Sequence, residues 1–289
     1  MSSPFQEPMP VNAPVASAPE ANASPARRPF QFGLGALLIA MTVAGAVLGF
    51  MGILALRGIE RSREMESMNN MKQMGIALHN YHDVLTRFPP PYSVDSAGKP
   101  LLSWRVYILP YIEQDNLYKQ FHLNEPWDSP HNKTLIPLMP KIYQSPQTRS
   151  KKTLPVGHTC YLAVVGAETM FPPDRPQAVV AAPFGLPGGI RFAEVLDGLS
   201  NTIMVVEGAP ERAVVWSKPD DWEFDEEKPT DGLLGQRADG FFALMGDGSL
   251  RRIPAQIHPE NARRLFLRND GNVIEMENLE RPPAMRGER

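Results

Sequence analysis

From Gly33 to Leu56 the chain reads GLGALLIAMTVAGAVLGFMGILAL, 24 residues without a charge. A helix of that length reaches about 36 Å, enough to cross a hydrocarbon layer of about 30 Å with some tilt. The apolar region of a cleavable signal peptide is shorter, roughly 7–15 residues. The pattern therefore predicts an uncleaved single-pass anchor. Beyond it the pattern changes. No proline occurs from Arg57 to Arg87, and Met71, Met74, Leu78, Tyr81 and Leu85 recur at spacings of 3, 4, 3 and 4. That is one apolar stripe of an amphipathic helix. The helix is expected to leave the span without a break and to stop near Phe88. Pro89, Pro90 and Pro91 cannot continue it.

After the prolines, Ser103 is placed to cap a short helix through Tyr111, interrupted at Pro110, and a further turn or two is expected from Glu113 to Phe121. Trp104, Tyr107, Ile108 and Tyr111 should pack on a sheet. Residues 124–149, rich in Pro, Asn and Ser, read as mostly loop. Short runs of β-branched and aromatic residues then predict strands at 160–166, 202–208, 213–217 and 241–246. Gly246-Asp247-Gly248 reads as a tight hairpin turn into SLRRI. A last short helix is expected at Asn261 to Leu267, and NVIEM (272–276) as a closing strand or coil. The predicted fold class is α+β: a long N-terminal helix, half in the membrane and half amphipathic, packed on an antiparallel sheet with long loops. The domain plan is a tail at 1–29, a transmembrane helix at 30–56, its juxtamembrane continuation at 57–87, an α+β domain at 88–278 and a disordered C-terminus at 279–289.

Composition narrows the function classes. A net charge of −3 lacks the basic excess that a nucleic-acid binder needs, so no nucleic-acid partner is expected. Seven of the 30 prolines fall in the first 29 residues, which have little to bury and should be disordered. Cys160 is the only cysteine and can form no intrachain disulfide. Within HTCYLAVVG it reads as a small buried hydrophobe. Ala36, Ala40 and Ala44, with Gly45 and Gly49, form ridges that let helices approach in lipid. Self-association through that face is one reading, and an unpaired membrane helix is the other. Arg27 and Arg28 before the span nearly balance Arg57, Arg61 and Arg63 after it, so charge alone does not orient the chain.

The densest candidate chemistry is HNYHD, where His79 and His82 stand at i and i+3 beside Asp83. A zinc site needs three or four ligands, and the segment lacks the glutamate of H-E-x-x-H. The preferred reading is that these side chains satisfy free carbonyls at a helix C-terminus. Asp197, Glu207, Asp247 and the acidic run from Asp220 to Asp231 invite a calcium reading. Asp-Gly is foremost turn chemistry, however, and the run lacks an EF-hand pattern, so a solvated loop is expected. No phosphate loop and no G-x-S-x-G occurs, and no spacing ties His122, His131, His158 or His258 to a nucleophile. No catalytic, cofactor-binding or metal-ligating residue is assigned, and no cofactor is expected.

The ordered series NNMKQMGIALHNYHDVLTRFPP, LSWRVYILPYIEQDNLYKQFHLNEPWDSPHN, FAEVLDGLSNTIMVVEG, VVWSKPDDWEFD and FFALMGDGSLRRIP resembles a very large planctomycetal family of unknown function (DUF1559) with pilin-like architecture. The resemblance spans roughly Arg57 to Ile274. It implies a pseudopilin-like helix on an antiparallel sheet, a cytoplasmic N-terminus and an extracytoplasmic main domain. It carries no catalytic residue and no substrate. The chain departs from the pattern in two places. RRPFQFGLGALL lacks the glutamate that opens the apolar run of prepilins, so the N-terminus is expected to escape prepilin processing. IYQSPQ has Ser145 where Cys-Pro is usual, which leaves Cys160 without an obvious partner. The expected function is a non-enzymatic, membrane-anchored envelope protein with a structural, assembly or interaction role. Its partners would be the membrane, itself through the transmembrane helix, or other envelope proteins. The alternatives are an anchored binding module for a glycan, peptide or divalent cation, and then a hydrolase.

Overall fold

The computed structural model describes residues 33–174, 188–272, 274 and 276–281. The N-terminal tail at 1–29 lies outside the described residues, as do residues 282–289 of the expected C-terminal tail and Val273 and Glu275 of NVIEM. The chain divides into two units, Met1–Leu54 and Ala55–Arg289.

Helix α1 runs from Leu34 to Leu85 without interruption. Every residue from 33 to 62 is exposed, and burial begins at Ser67. Met71, Met74, Leu78 and Tyr81 of the stripe are then wholly buried. The helix closes through Thr86, whose left-handed backbone lets its N–H reach the His82 carbonyl at 2.6 Å.

The 55–289 unit is built on a five-stranded sheet in the order β7-β4-β5-β8-β9. Its strands are β4 (Tyr161–Val165), β5 (Ile203–Glu207), β7 (Trp222–Glu223), β8 (Gly240–Met245) and β9 (Leu250–Pro254). All pairs are antiparallel except β4 with β7 at one edge, which is parallel. Two small antiparallel pairs flank this sheet. They are β1 (Tyr92–Val94) with β2 (Pro100–Ser103), and β3 (His158–Thr159) with β6 (Val214–Val215).

The strands read as continuous apolar runs because both faces of the sheet are covered. Tyr161, Ala163, Phe242 and Leu244 point to the core shared with α1 and the aromatic segment 104–121. Leu162, Val164, Phe241, Ala243 and Met245 point to a second core with Leu265 and Phe266, from helix α5 (Pro259–Phe266). The alternation slips once. Met204 and Val205 both face the α1 side, where the β5–β8 register shifts between Ile203 and Val205, as a bulge produces.

Local expectations from sequence are met at the caps. Ser103 accepts from the Arg105 N–H at the start of α2 (Trp104–Tyr107), and Pro110 sits in a 3₁₀ turn at Leu109–Ile112. The next helical turn is α3 (Asp115–Tyr118). Residues 124–149 carry more order than their composition suggests. They hold 3₁₀ segments at Asn132–Leu138 and Lys141–Tyr143, and the start of α4 (Pro146–Lys151). The β8–β9 hairpin turns through Gly246-Asp247-Gly248. Gly248 has φ +82, and the Asp247 carboxylate accepts from the Ser249 N–H at 2.8 Å. Packing continues through Leu279, which is buried and whose carbonyl accepts from the His258 N–H at 2.9 Å.

Candidate functional site

Ser67 continues the stripe of α1 one turn before Met71, so a hydroxyl occupies a core position. It donates to the Glu207 carboxylate at 2.7 Å, while Ser145, the N-cap residue of α4, donates to the other carboxylate oxygen at 2.7 Å. Arg237 closes the cluster at 2.7 Å, its guanidinium 4.1 Å over the Phe242 ring. Tyr161 lies 2.9 Å from Ser67. Because the Ser67 hydrogen goes to Glu207, the tyrosine must be the donor, and burial holds its phenol well above the usual range. Ser67 and Glu207 are fully buried and Ser145 is 1% exposed. A serine held by a carboxylate can act as a nucleophile only where substrate reaches it. Here the hydroxyls are sealed, and the cluster fixes α1 and α4 to the end of β5.

A second buried pair lies across β4. Arg105 of α2, fully buried, meets Asp221 at 2.5 Å and donates to the Tyr161 carbonyl at 2.8 Å and to Ser103 at 2.8 Å. Asp221 also accepts from the Ala163 N–H at 2.7 Å and the Trp104 indole at 3.3 Å. Burial pushes its carboxyl up to about 6, against the opposing pull of Arg105. The acidic run from Asp220 to Asp231 is therefore not simply a solvated loop. Its first part carries a structural ion pair, and Glu223, Asp225, Glu226, Glu227 and Asp231 are the exposed members.

The other sequence candidates are dispersed. His79 Nε2 lies 3.0 Å from the Gly246 carbonyl, in the hairpin turn. His82 stacks on Phe192 with centroids 3.4 Å apart, its Nε2 buried without a partner and its imidazole held below the usual range by burial. The carbonyl-capping reading of these imidazoles is thus corrected. They wedge α1 against Phe88 and Phe192 instead of closing its end. Asp197 accepts from the Asp270 and Gly271 N–H groups at 2.7 and 2.8 Å, a loop tie. Cys160 is wholly buried, and desolvation pushes its thiol up to about 12. Among the described residues no three His, Cys, Asp or Glu side chains converge as metal ligands.

Of Trp216, Trp222 and Phe224, the aromatics a binding-module reading would need at the surface, the first two are 0% and 4% exposed and Phe224 is half-buried against the second core. The Trp216 indole donates to the Ile136 carbonyl at 3.0 Å, and the Trp222 indole to the Asp231 carbonyl at 2.8 Å.

The broadest unsatisfied surface is the apolar part of α1. Leu37, Leu38, Ile39, Met41, Val43, Val47, Leu48, Phe50 and Met51 are each more than half exposed. Helix α1 is long and apolar enough to cross a membrane, and its apolar window holds no buried residue. Sequence reasoning found this feature. It missed Arg105, Asp221 and Arg237, whose partners lie far along the chain. Ser67 carried a legible signal, being a hydroxyl in register with an apolar stripe.

Residues 59–231 match the model of a family described as a protein of unknown function (DUF1559). No curated protein and no solved structure matches. The matched stretch is well over half of the chain, and the chain belongs to that family.

Proposed function

From that family membership as premise, we propose that this chain is a single-pass, membrane-anchored envelope protein. Its main domain lies outside the cytoplasm, and its role is structural, assembling or interacting rather than catalytic. The observation that carries the reading is the run from Gly33 to Leu56, uncharged and exposed throughout. Soluble monomers rarely present contiguous apolar patches beyond a few hundred Å², and lipid is the solvent that suits this one. The pilin-like architecture implied by the resemblance agrees with a helix that continues from the apolar run into the core of an α+β unit. The missing glutamate argues for a lateral membrane protein rather than a filament subunit: by the pilin resemblance that carboxylate neutralises a neighbouring subunit's terminal amine, and an uncompensated charge in lipid costs about 2.5–3.5 kcal/mol on insertion scales. Burial of Trp216 and Trp222 weakens the glycan-binding alternative.

Membranes from the native host, extracted with alkaline carbonate, should retain the full-length chain in the pellet. Protease added to spheroplasts should remove the domain after about Met65. Recovery in the supernatant would refute anchoring, and protection until lysis would reverse the orientation.

A further inference from the structure

Resting on the assembling role proposed above, we propose that copies of this chain join edge to edge, β9 of one copy pairing antiparallel with β7 of the next. In the order β7-β4-β5-β8-β9 these two strands are the free edges of the central sheet. Between β8 and β9 the Met245 N–H donates to the Ser249 carbonyl at 2.8 Å, and the Ala255 N–H to the Asp239 carbonyl at 3.0 Å. Ala243 lies opposite Arg251 and Phe241 opposite Ile253. Antiparallel alternation therefore turns the N–H and C=O groups of Leu250 and Arg252 away from the sheet. On the other edge Glu223 lies opposite Val165, and the Phe224 N–H donates to the Val165 carbonyl at 2.8 Å. Parallel pairing of that register turns both backbone groups of Glu223 outward. Among the described residues none of these outward groups has a hydrogen-bond partner. An edge in that state is a template for another strand.

Side chains decide which strand each edge accepts. Arg251 and Arg252 are exposed on β9, and Glu223 and Asp225 are exposed on β7 and just beyond it. Among the described residues no carboxylate engages Arg251 and no cation engages Glu223. Arg252 contacts Asp239 and Glu64 of its own chain, yet its side chain stays 41% exposed. Pairing β9 with β9, or β7 with β7, would set like charges against each other, which is destabilising in a sheet. Pairing β9 with β7 joins opposite charges.

The sheet itself sets the register. Three antiparallel steps separate β4 from β9, and β7 runs parallel to β4, so β7 and β9 run in opposite directions. Two copies in the same orientation therefore meet as an antiparallel pair. The residues with outward backbone groups become partners, Glu223 with Arg252. Both side chains stand on the α1 face of the sheet, since Val165 and Phe242 opposite them pack into that core. The Cα atoms of such a hydrogen-bonded pair are about 5.5 Å apart, close enough for the charges to meet. One step along, Phe224 falls opposite Arg251 on the α5 face, a ring beside a cation. The contact joins two different edges, so it is heterologous and adds copies into a row or a ring instead of stopping at a dimer.

The test uses the full-length chain in detergent, with association followed by sedimentation velocity. The wild type should self-associate, and high salt should weaken the contact. Glu223→Arg sets like charges against each other at every junction, and so does Arg252→Glu. Each variant alone should associate about tenfold more weakly. An equimolar mixture of the two should recover association, because both kinds of mixed junction are complementary. Clustering of micelles through the apolar run would not follow that pattern. Arg252→Glu crowds Glu64 and Asp239, so a second pair of variants guards against loss of its fold. Phe224→Cys mixed with Arg251→Cys should give a disulfide-linked dimer on mild oxidation, since that pair would stand about 4.5 Å apart between Cα atoms. Neither should crosslink alone. A monomeric wild type would overturn the proposal, as would charge variants that associate like the wild type, or a cysteine mixture that stays uncrosslinked. None of these outcomes alters carbonate extraction, so the anchoring reading and this one fail separately.

Discussion

Replacing Glu207 by alanine should be among the most damaging single changes in the domain. The carboxylate receives hydrogen bonds from Ser67, Ser145 and Arg237, all at 2.7 Å, and is itself fully buried. The variant strands Arg237, whose side chain is 2% exposed and whose other carboxylate among the described residues, Glu64, lies 3.7 Å away. Breaking a buried pair by removing one partner costs about 3–5 kcal/mol. Each abandoned hydroxyl adds a share of the ~1–3 kcal/mol due to an unmet buried donor. Ser67 keeps Tyr161 as a neighbour and water can enter the space vacated, so the shares do not sum fully. A loss of about 4 kcal/mol is expected, a large part of the ~5–15 kcal/mol that holds a domain folded. Urea unfolding of the purified full-length chain in detergent, followed by fluorescence of the buried Trp104 and Trp216, measures it. A paired variant, Glu207→Leu with Arg237→Met, should recover much of the loss, because it removes both charges together. A midpoint shift worth less than about 1 kcal/mol at unchanged slope in the single variant would refute the reasoning.

Two further outcomes follow from the same geometry. Asp221 titrates near 6 when folded and near 4 when unfolded, so the folded state binds its proton first as pH falls. Its contribution to stability therefore grows from pH 7 toward pH 4. In urea titrations at several pH values Asp221→Asn should lose that acid-side gain, and identical pH profiles for the two proteins would contradict it. At Gly75 an added Cβ would lie 3.0 Å from a Leu244 methyl and 3.5 Å from the Gly248 backbone. Gly75→Val should cost about 2 kcal/mol by overpacking, read from the same unfolding curves, whereas Gly75→Ala should be nearly neutral, helix propensity offsetting the crowding. An undamaged valine variant would show that the hairpin does not close on α1.

The parts of the fold legible in sequence are those set by neighbours within a few residues. The stripe of Met71, Met74, Leu78 and Tyr81, the Ser103 cap and the Gly246–Gly248 turn each express a local period or backbone requirement. The partners of Glu207 lie 140, 62 and 30 residues away, and no local pattern marks them. Asp221 was hidden for a different reason. It stands second in a run of acids whose exposed members dominate the composition, and only its place beside Arg105 separates it from them. Likewise the parallel pairing of β7 with β4 rests on two residues, Trp222 and Glu223, too short a run for alternation to show. The histidines misled because their helix-end position was visible, while Phe192, the ring that receives His82, lies 110 residues on.

The continuity of α1 also sets the order of events during synthesis. Ser67 leaves the ribosome 140 residues before Glu207. At roughly 5–20 residues per second, that gap lasts about 7–28 s. Throughout it the sheet that will cover Met71, Met74, Leu78 and Tyr81 is incomplete, since β5, β8 and β9 are still to come. The apolar run just ahead has by then become available to the insertion machinery. On the anchoring reading proposed above, the nascent chain presents two greasy surfaces in succession, one for lipid and one for a sheet not yet made. Correct biogenesis depends on keeping the second from following the first into the bilayer. Arg57, Arg61 and Arg63, with Glu60 between them, form the boundary, since a charge at mid-membrane costs several kcal/mol. Their placement makes the end of the span a stop signal before it becomes part of a folded domain.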